Sequence, residues 1–314
     1  MNYVIVLDSV ACLPAEEVES RSIEILPLTI MLEGQKYADT YNEQTLLEIY
    51  KTGKIKIGKG TDAFTSTVGE IRKFILEKIV PKYDIAVCQT IAQAISPIYD
   101  HYRQVAATIA ADSRSVRDTA NIEKPFRMTY MSTGTMAAGQ GLVALYADDQ
   151  LSKGMNYIKY KADIEEFKKW VKGYSAIGDI VYGRHRAKIK GNKTVSLPTA
   201  WIASALDISP ILKNHNEEIT PVDMVRGYSN AVERLLEYCC DRALEGLKTP
   251  FINISIAGDP LSLNTYTNFK RLQKVCHDTN TKLLVGVMTL AAAINLGPGC
   301  VAVGIAPLER DIEP

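Results

Sequence analysis

The residues with the clearest potential for chemistry are polar pairs that follow apolar, strand-like runs. Asp8 and Ser9 end the run Tyr3–Leu7, whose β-branched residues are typical of a strand buried on both faces. Ligands bind at the carboxyl ends of strands in an open α/β sheet, so Asp8 and Ser9 are candidate site residues. The alternative is a turn in which both side chains cap or bond the backbone. The pair alone does not decide between the two.

Hydroxyl side chains recur where later predicted strands end and predicted helices begin. Neutral hydroxyl donors, combined with an apolar content of 46%, suit the binding of a carboxylate. No nucleophile is paired with a base, and neither a Gly-x-Ser-x-Gly nor a His-Glu-x-x-His motif occurs. The pattern therefore favours binding over catalysis. The hydroxyl residues are Ser9, Thr61, Thr65, Ser66, Thr90 and Ser96.

Residue types that hold metals or cofactors do not form recognisable sites. The four histidines are scattered without the spacing of metal ligands. The stretch Gly134–Gly141 lacks the Lys and Ser/Thr of a phosphate loop, which favours tight strand-to-helix packing. The six cysteines include no Cys-x-x-Cys pair and predict reduced, buried thiols. We therefore predict no metal and no cofactor.

The elements that must position these residues alternate between strand-like and helical patterns. This alternation predicts two α/β domains, residues 1–152 and 153–314, the first with a mostly parallel, doubly wound sheet. The predicted strands of the first domain include Tyr3–Leu7, Ile85–Cys88 and Phe126–Met131.

Three local patterns make specific predictions. Thr67 with Glu70 three residues later is a capping box and predicts a helix start. The run Ile23–Met31 reads as one strand interrupted by Pro27, which suits a sheet edge. The basic cluster Arg184–Lys193 could bind phosphate or nucleic acid, but it has no interleaved aromatic residue beyond Tyr182, so it predicts a solvated loop.

The overall charge excludes strongly electrostatic partners. Lys and Arg together number 36, as do Asp and Glu, so no general field attracts nucleic acid or an anionic membrane. No apolar run reaches membrane-spanning length, and the N-terminus lacks the layout of a signal peptide. We expect a cytoplasmic protein that is not integral to a membrane.

The order of motifs resembles the DegV family of bacterial fatty-acid-binding proteins over essentially the whole chain. The resemblance implies two α/β domains with a ligand cleft between them, and a bound fatty acid such as palmitate or oleate. Some members present the lipid to a separate ATP-binding subunit of a fatty-acid kinase and carry no ATP site themselves. The matching stretches are Leu7–Pro14, Leu26–Ile30, Ser96–Tyr99, Tyr182–Arg184, Asp207–Lys213, Val225–Gly227 and Leu296–Gly304.

The resemblance also implies where the fatty-acid carboxylate binds, although this chain departs from the family there. The family's Thr-Ser pair aligns with Thr61 and Asp62, and a shift to Thr65–Ser66 restores both hydroxyls. Asp62 either faces the headgroup and repels it or, as we expect, points to solvent as a helix cap. Asn295 takes the place of the family's histidine. The predicted carboxylate-binding residues are Thr61, Gln93, Asn295, Thr90, Asp8 and Ser9, with Arg184 and Arg226 as the nearest cations.

Three hypotheses follow from the sequence. The first is a non-catalytic carrier that binds a long-chain fatty acid in an interdomain cleft. The second is a lipid-presenting subunit whose partner is the ATP-binding subunit of a fatty-acid kinase. The third is a small-molecule sensor or an enzyme on the same fold with a more polar ligand.

Overall fold

The computed structural model describes residues 2–57, 60–189 and 207–308. Its strands are β1 Tyr3–Asp8, β2 Ile23–Leu26, β3 Thr29–Leu32, β4 Gln35–Ala38, β5 Asp62–Phe64, β6 Ile85–Thr90, β7 Arg127–Ser132, β8 Lys172–Ala176, β9 Ile208–His215, β10 Glu218–Arg226, β11 Phe251–Ile256, β12 Lys282–Val287 and β13 Val301–Ile305. Its α-helices are α1 Ala15–Ser20, α2 Glu43–Lys51, α3 Val68–Phe74, α4 Ile98–Thr119, α5 Ala137–Ser152, α6 Tyr157–Phe167, α7 Ile180–Ile189, α8 Tyr228–Glu245, α9 Thr267–Asp278 and α10 Leu290–Leu296.

The first sheet is parallel, as predicted, with strand order β2-β1-β6-β7. Every residue of β1 is buried, because its alternate side chains enter two different cores. Val4 and Val6 pack with α3 and α4 on one face, whereas Ile5 and Leu7 pack with α5 and α6 on the other. The doubly wound arrangement thus follows directly from a strand that is apolar on both sides.

A small antiparallel sheet, with order β4-β3-β5, lies beside the first sheet. The sequence predicted one strand over Ile23–Met31, but the structure divides this run at Pro27. The first half is β2, an edge strand of the parallel sheet, and the second half is β3 in the small sheet. Proline removes a backbone donor, so the chain changes sheets at the residue that cannot continue a ladder.

The second sheet is mixed, with order β10-β9-β8-β13-β11-β12. Strands β9 and β10 form an antiparallel hairpin, and α8 and α9 cover one face of the sheet. Helix α5 packs closely on the other face: a Cβ at Gly304 would collide with the carbonyl oxygen of Ala138. The mixed α/β fold is therefore as predicted. The boundary between residues 152 and 153 stays a prediction.

The part of the chain after residue 150 departs most from the sequence-based elements. Strand β8 was not predicted, and it follows closely on helix α6, which ends at Phe167. The prediction of a solvated loop over Arg184–Lys193 was wrong for residues 184–189, which belong to α7 and include the buried Arg186. Residues 190–193 lie outside the described ranges.

Three further expectations concern membrane-spanning helices, metal sites and cysteines. Within residues 2–57, 60–189 and 207–308, no helix has the length and apolarity needed to cross a bilayer. The same ranges contain no cluster of His, Cys, Asp and Glu side chains that could hold a metal ion. All six cysteines are free and buried, as predicted.

Candidate functional site

A cavity of about 140 Å³ lies between the carboxyl ends of β1 and β6 and the face of β8 and β9. Much of its wall is apolar, and both halves of the chain contribute to it. Apolar lining residues include Val10, Leu28, Ile91, Met136, Ile177 and Leu212. The polar lining residues define what the cavity can bind.

A pair of hydroxyls lies on one wall of this cavity. Thr65 directly follows β5 and Ser96 shortly precedes α4, and their Oγ atoms are 3.4 Å apart. The Ser96 hydroxyl also accepts a bond from the Ile98 amide at 3.3 Å. Thr67 fixes the chain next to Thr65, because its predicted capping box with Glu70 is formed at the start of α3. Local structure therefore holds both hydroxyls in place.

A buried arginine, Arg186 of α7, joins three segments at the same cavity. Its side chain is 5% exposed, and its Nη2 lies 2.7 Å from Asp62 Oδ1. Nη2 also donates to Asn295 Oδ1 at 3.3 Å, and Nη1 donates to the Thr61 carbonyl at 3.3 Å. The Nε of Arg186 has no hydrogen-bond partner among the residues described. Thr61, Asp62 and Asn295 therefore meet around one cation.

This cluster corrects the expectation for Asp62. The sequence favoured a solvent-facing cap, but Thr67 caps α3, whereas Asp62 lies in β5 and pairs with Arg186. The carboxylate of Asp62 is 28% exposed and its charge is compensated by the guanidinium. Both polar atoms of the Asn295 side chain are also hydrogen-bonded, since its Oδ1 accepts from Arg186 and its Nδ2 donates to the Ala291 carbonyl at 2.8 Å.

Asp8 and Ser9 hold the strand end together, and only Asp8 reaches the cavity. Asp8 accepts bonds from the Ile91 amide, the Val10 amide and Gln140 Nε2 at 3.0–3.1 Å. Burial raises the pKa of Asp8 above its ordinary value, and these bonds oppose the rise. Ser9 is fully buried and donates to a buried carboxylate, Asp39 Oδ2, at 2.8 Å. The turn interpretation thus describes both residues, with Asp8 also lining the cavity.

The remaining predicted residues are not gathered at one point. Thr90 is buried and donates to the Ile91 carbonyl at 3.0 Å, whereas the Gln93 side chain is exposed. Arg184 lines the cavity from an exposed position on α7. Arg226 is exposed at the far end of β10, roughly 20 Å along that strand from the cavity residue Ile219. Neither Gln93 nor Arg226 is among the cavity-lining residues.

Sequence reasoning missed three polar residues that line the cavity: Arg186, Ser175 and Asn214. A signal for Arg186 was present, because Tyr182 and Arg186 are four residues apart and share one face of a helix. Both are buried, and Tyr182 also donates from its hydroxyl to the Ile294 carbonyl at 2.7 Å. No sequence pattern marked Ser175 or Asn214, since β8 was not predicted at all.

Comparison with known proteins identifies the family of this chain. A family model described as "Uncharacterised protein, DegV family" matches residues 2–308. A DegV domain-containing protein of Xanthomonas campestris is 29% identical over 306 residues, which cover 98% of each chain. A solved DegV lipid-binding protein from Thermotoga maritima has a TM-score of 0.75 at 20% identity, covering 99% of this chain and 100% of that one. A stearic-acid-binding protein from Eubacterium ventriosum has a TM-score of 0.73 at 15% identity, covering 97% and 98%.

The family match extends over nearly the whole chain, and the two structural likenesses extend equally far. The sequence motifs and the mixed α/β architecture agree with it. The chain therefore belongs to the DegV family.

Proposed function

We propose that this protein binds a long-chain fatty acid in the cavity between its two larger sheets. The observation that carries the proposal is the cavity itself, which combines apolar walls with the hydroxyl pair of Thr65 and Ser96. Each methylene transferred from water to such walls contributes about 0.8 kcal/mol, so a long chain supplies most of the affinity. The description of relatives as lipid-binding and stearic-acid-binding supports the same ligand class.

The carboxylate, in this proposal, accepts hydrogen bonds from Thr65 and Ser96. These two hydroxyls line the cavity, whereas Thr61 contributes its backbone carbonyl to Arg186. Thr65 is the first residue of the alternative pairing that the sequence left open. Arg186 offers a further donor through its unpartnered Nε, while its charge is already compensated by Asp62. Hydrogen bonds rather than net positive charge would hold the headgroup.

The protein would act in the cytoplasm as a carrier that does no chemistry on its ligand. A more specific form of this proposal is that the carrier presents the lipid to the ATP-binding subunit of a fatty-acid kinase. Asn295 weakens that version, because an amide cannot carry charge or shuttle a proton where a phosphate forms. We therefore place lipid binding first and service to a kinase second.

Mass spectrometry of organic extracts from the purified protein tests the ligand class directly. One equivalent of a fatty acid is the expected result. A cavity that yields no lipid and takes up neither palmitate nor oleate would refute the proposal. Recovery of a polar, non-lipid metabolite would instead favour the hypothesis of a sensor or enzyme, whose ligand would contact the polar lining residues Asp8, Arg186 and Asn214.

Displacement of a fluorescent fatty acid tests the headgroup assignment. Thr65→Val keeps the side-chain shape and removes a donor to a charged acceptor, which should cost about 1–3 kcal/mol of affinity. Thr61→Val is the matched control, because its side chain is not part of the cavity wall. An affinity that falls in Thr61→Val and not in Thr65→Val would assign the carboxylate contact to Thr61, as the gapless alignment predicts.

A further inference from the structure

Two buried polar side chains on the wall of the cavity have hydrogen-bonding capacity that the protein does not use. Ser175 of β8 is 1% exposed, and its Oγ has no hydrogen-bond partner in the described ranges. The Cys300 thiol lies close enough to interact with this hydroxyl, but the Ser175 Oγ makes no hydrogen bond of ordinary geometry among the described residues. A buried hydroxyl without a partner has lost its hydrogen bonds to water without replacing them, so this group requires an explanation.

Asn214 of β9 is 4% exposed and is fixed in orientation by its neighbours. Its Oδ1 accepts a bond from the Met136 amide at 3.0 Å and another from the Thr135 hydroxyl. Because a backbone amide only donates, the atom facing it must be the oxygen. Nδ2 then points elsewhere and makes no hydrogen bond to any described residue.

The pairing of β8 with β9 puts these two groups close together. Ser175 is opposite Leu212 and Gly173 is opposite Asn214, so Ser175 and Asn214 are diagonal neighbours on one face. Diagonal side chains on an antiparallel pair lie roughly 5–8 Å apart at Cβ. Both residues line the same cavity. A single oxygen atom of a ligand could therefore accept from Nδ2 and bond the serine hydroxyl at once.

We infer that Ser175 and Asn214 form a polar station that selects acyl chains bearing an oxygen, such as hydroxy fatty acids, over unsubstituted chains. The inference rests on the proposed function and names its substrate class more narrowly. A plain hydrocarbon chain passing this station leaves a hydroxyl and an amide donor unsatisfied. A hydroxyl on the chain satisfies both, and sites built around such a bond reject ligands that lack it.

The test compares stearate with 3-, 10-, 12- and 18-hydroxystearate by displacement of a fluorescent fatty acid from the parent protein. At least one hydroxystearate should bind about fivefold or more tightly than stearate, the equivalent of one net hydrogen bond. Stearate that binds as tightly as every isomer overturns the inference and leaves the proposed function intact. Failure of all five acids to bind overturns both.

Ser175→Ala removes the hydroxyl and should abolish the preference: hydroxystearate binding weakens, and stearate binding tightens because the wall becomes apolar. Ser255→Ala is the matched control, since Ser255 is also 1% exposed with an unpartnered Oγ but is not part of the cavity wall. It should leave the ratio unchanged. An equal loss for stearate and hydroxystearates in Ser175→Ala would assign Ser175 to the carboxylate and refute the polar station.

Discussion

The ion pair between Asp62 and Arg186 leads to a prediction in which stability and ligand affinity change in opposite directions. Asp62→Asn keeps the side-chain shape and removes the negative charge 2.7 Å from the guanidinium. Removal of one partner from a fully buried pair costs about 3–5 kcal/mol. The Asp62 side chain is 28% exposed, so water can partly solvate the guanidinium after the charge is removed. We therefore expect a loss of about 1–3 kcal/mol in unfolding free energy.

The affinity for a fatty acid should rise in the same variant. Thr65 is three residues beyond Asp62 in an extended segment, so a carboxylate bound there lies about 10 Å from the Asp62 charge. Two unit charges at that separation repel by about 1.7 kcal/mol at an effective dielectric constant of 20. Salt screening reduces this figure, so we expect fatty-acid binding to tighten by about three- to tenfold.

Displacement titrations and urea unfolding of the parent and Asp62→Asn measure the two effects. Asp112→Asn is the control, because Asp112 pairs with Arg72 at the surface and is not part of the cavity wall. It should leave both the unfolding free energy and the affinity close to those of the parent. Unchanged or weaker fatty-acid binding in Asp62→Asn would show that Asp62 does not repel the bound carboxylate. The assignment of the carboxylate to Thr65 and Ser96 would then be wrong.

Two further predictions concern pH and phosphoryl transfer. Burial raises the pKa of Asp39 to about 6, so the native state holds this proton more strongly than the unfolded state does. Unfolding free energy should therefore fall by about 1–1.5 kcal/mol between pH 5 and 7, and urea unfolding of Asp39→Asn should show a smaller decline. Acyl-phosphate production with a noncognate kinase subunit should be poor and faster in Asn295→His, since a cation stabilises the forming phosphate. An Asn295→His variant no faster than the parent would contradict this.

Local sequence signals predicted the elements that local interactions determine. The capping box of Thr67 and Glu70 needs only four consecutive residues, and the structure contains it as predicted. The run Tyr3–Leu7 is apolar at every position, which is sufficient to indicate a strand buried on both faces. The sequence predicted an interruption at Pro27, but it did not predict that the chain changes from one sheet to another there.

The candidate site was harder to predict because long-range contacts create it. The burial of Arg186 depends on Asp62 and Asn295, which are 124 and 109 residues away in sequence. A basic segment is expected to be solvated unless its partners are known, and the family resemblance pointed to the exposed Arg184 instead. Ser175 lies in a five-residue strand with little apolar pattern, and only the pairing with β9 brings it beside Asn214.

The compensation of Arg186 by Asp62 predicts how the binding energy is distributed. The nearest buried cation contributes no net charge, so the carboxylate is held mainly by neutral donors and the tail dominates affinity. Lengthening a saturated fatty acid from twelve to sixteen carbons should then tighten binding by up to about 0.8 kcal/mol, or about fourfold, per methylene. Raising the salt concentration from 50 to 500 mM should change affinity less than about twofold in the parent and more in Asp62→Asn, where the cation is uncovered. Displacement titrations across chain length and salt measure both. Affinity that falls steeply with salt in the parent, and is flat with chain length, would show that a net charge binds the headgroup and that the apolar wall does not hold the tail.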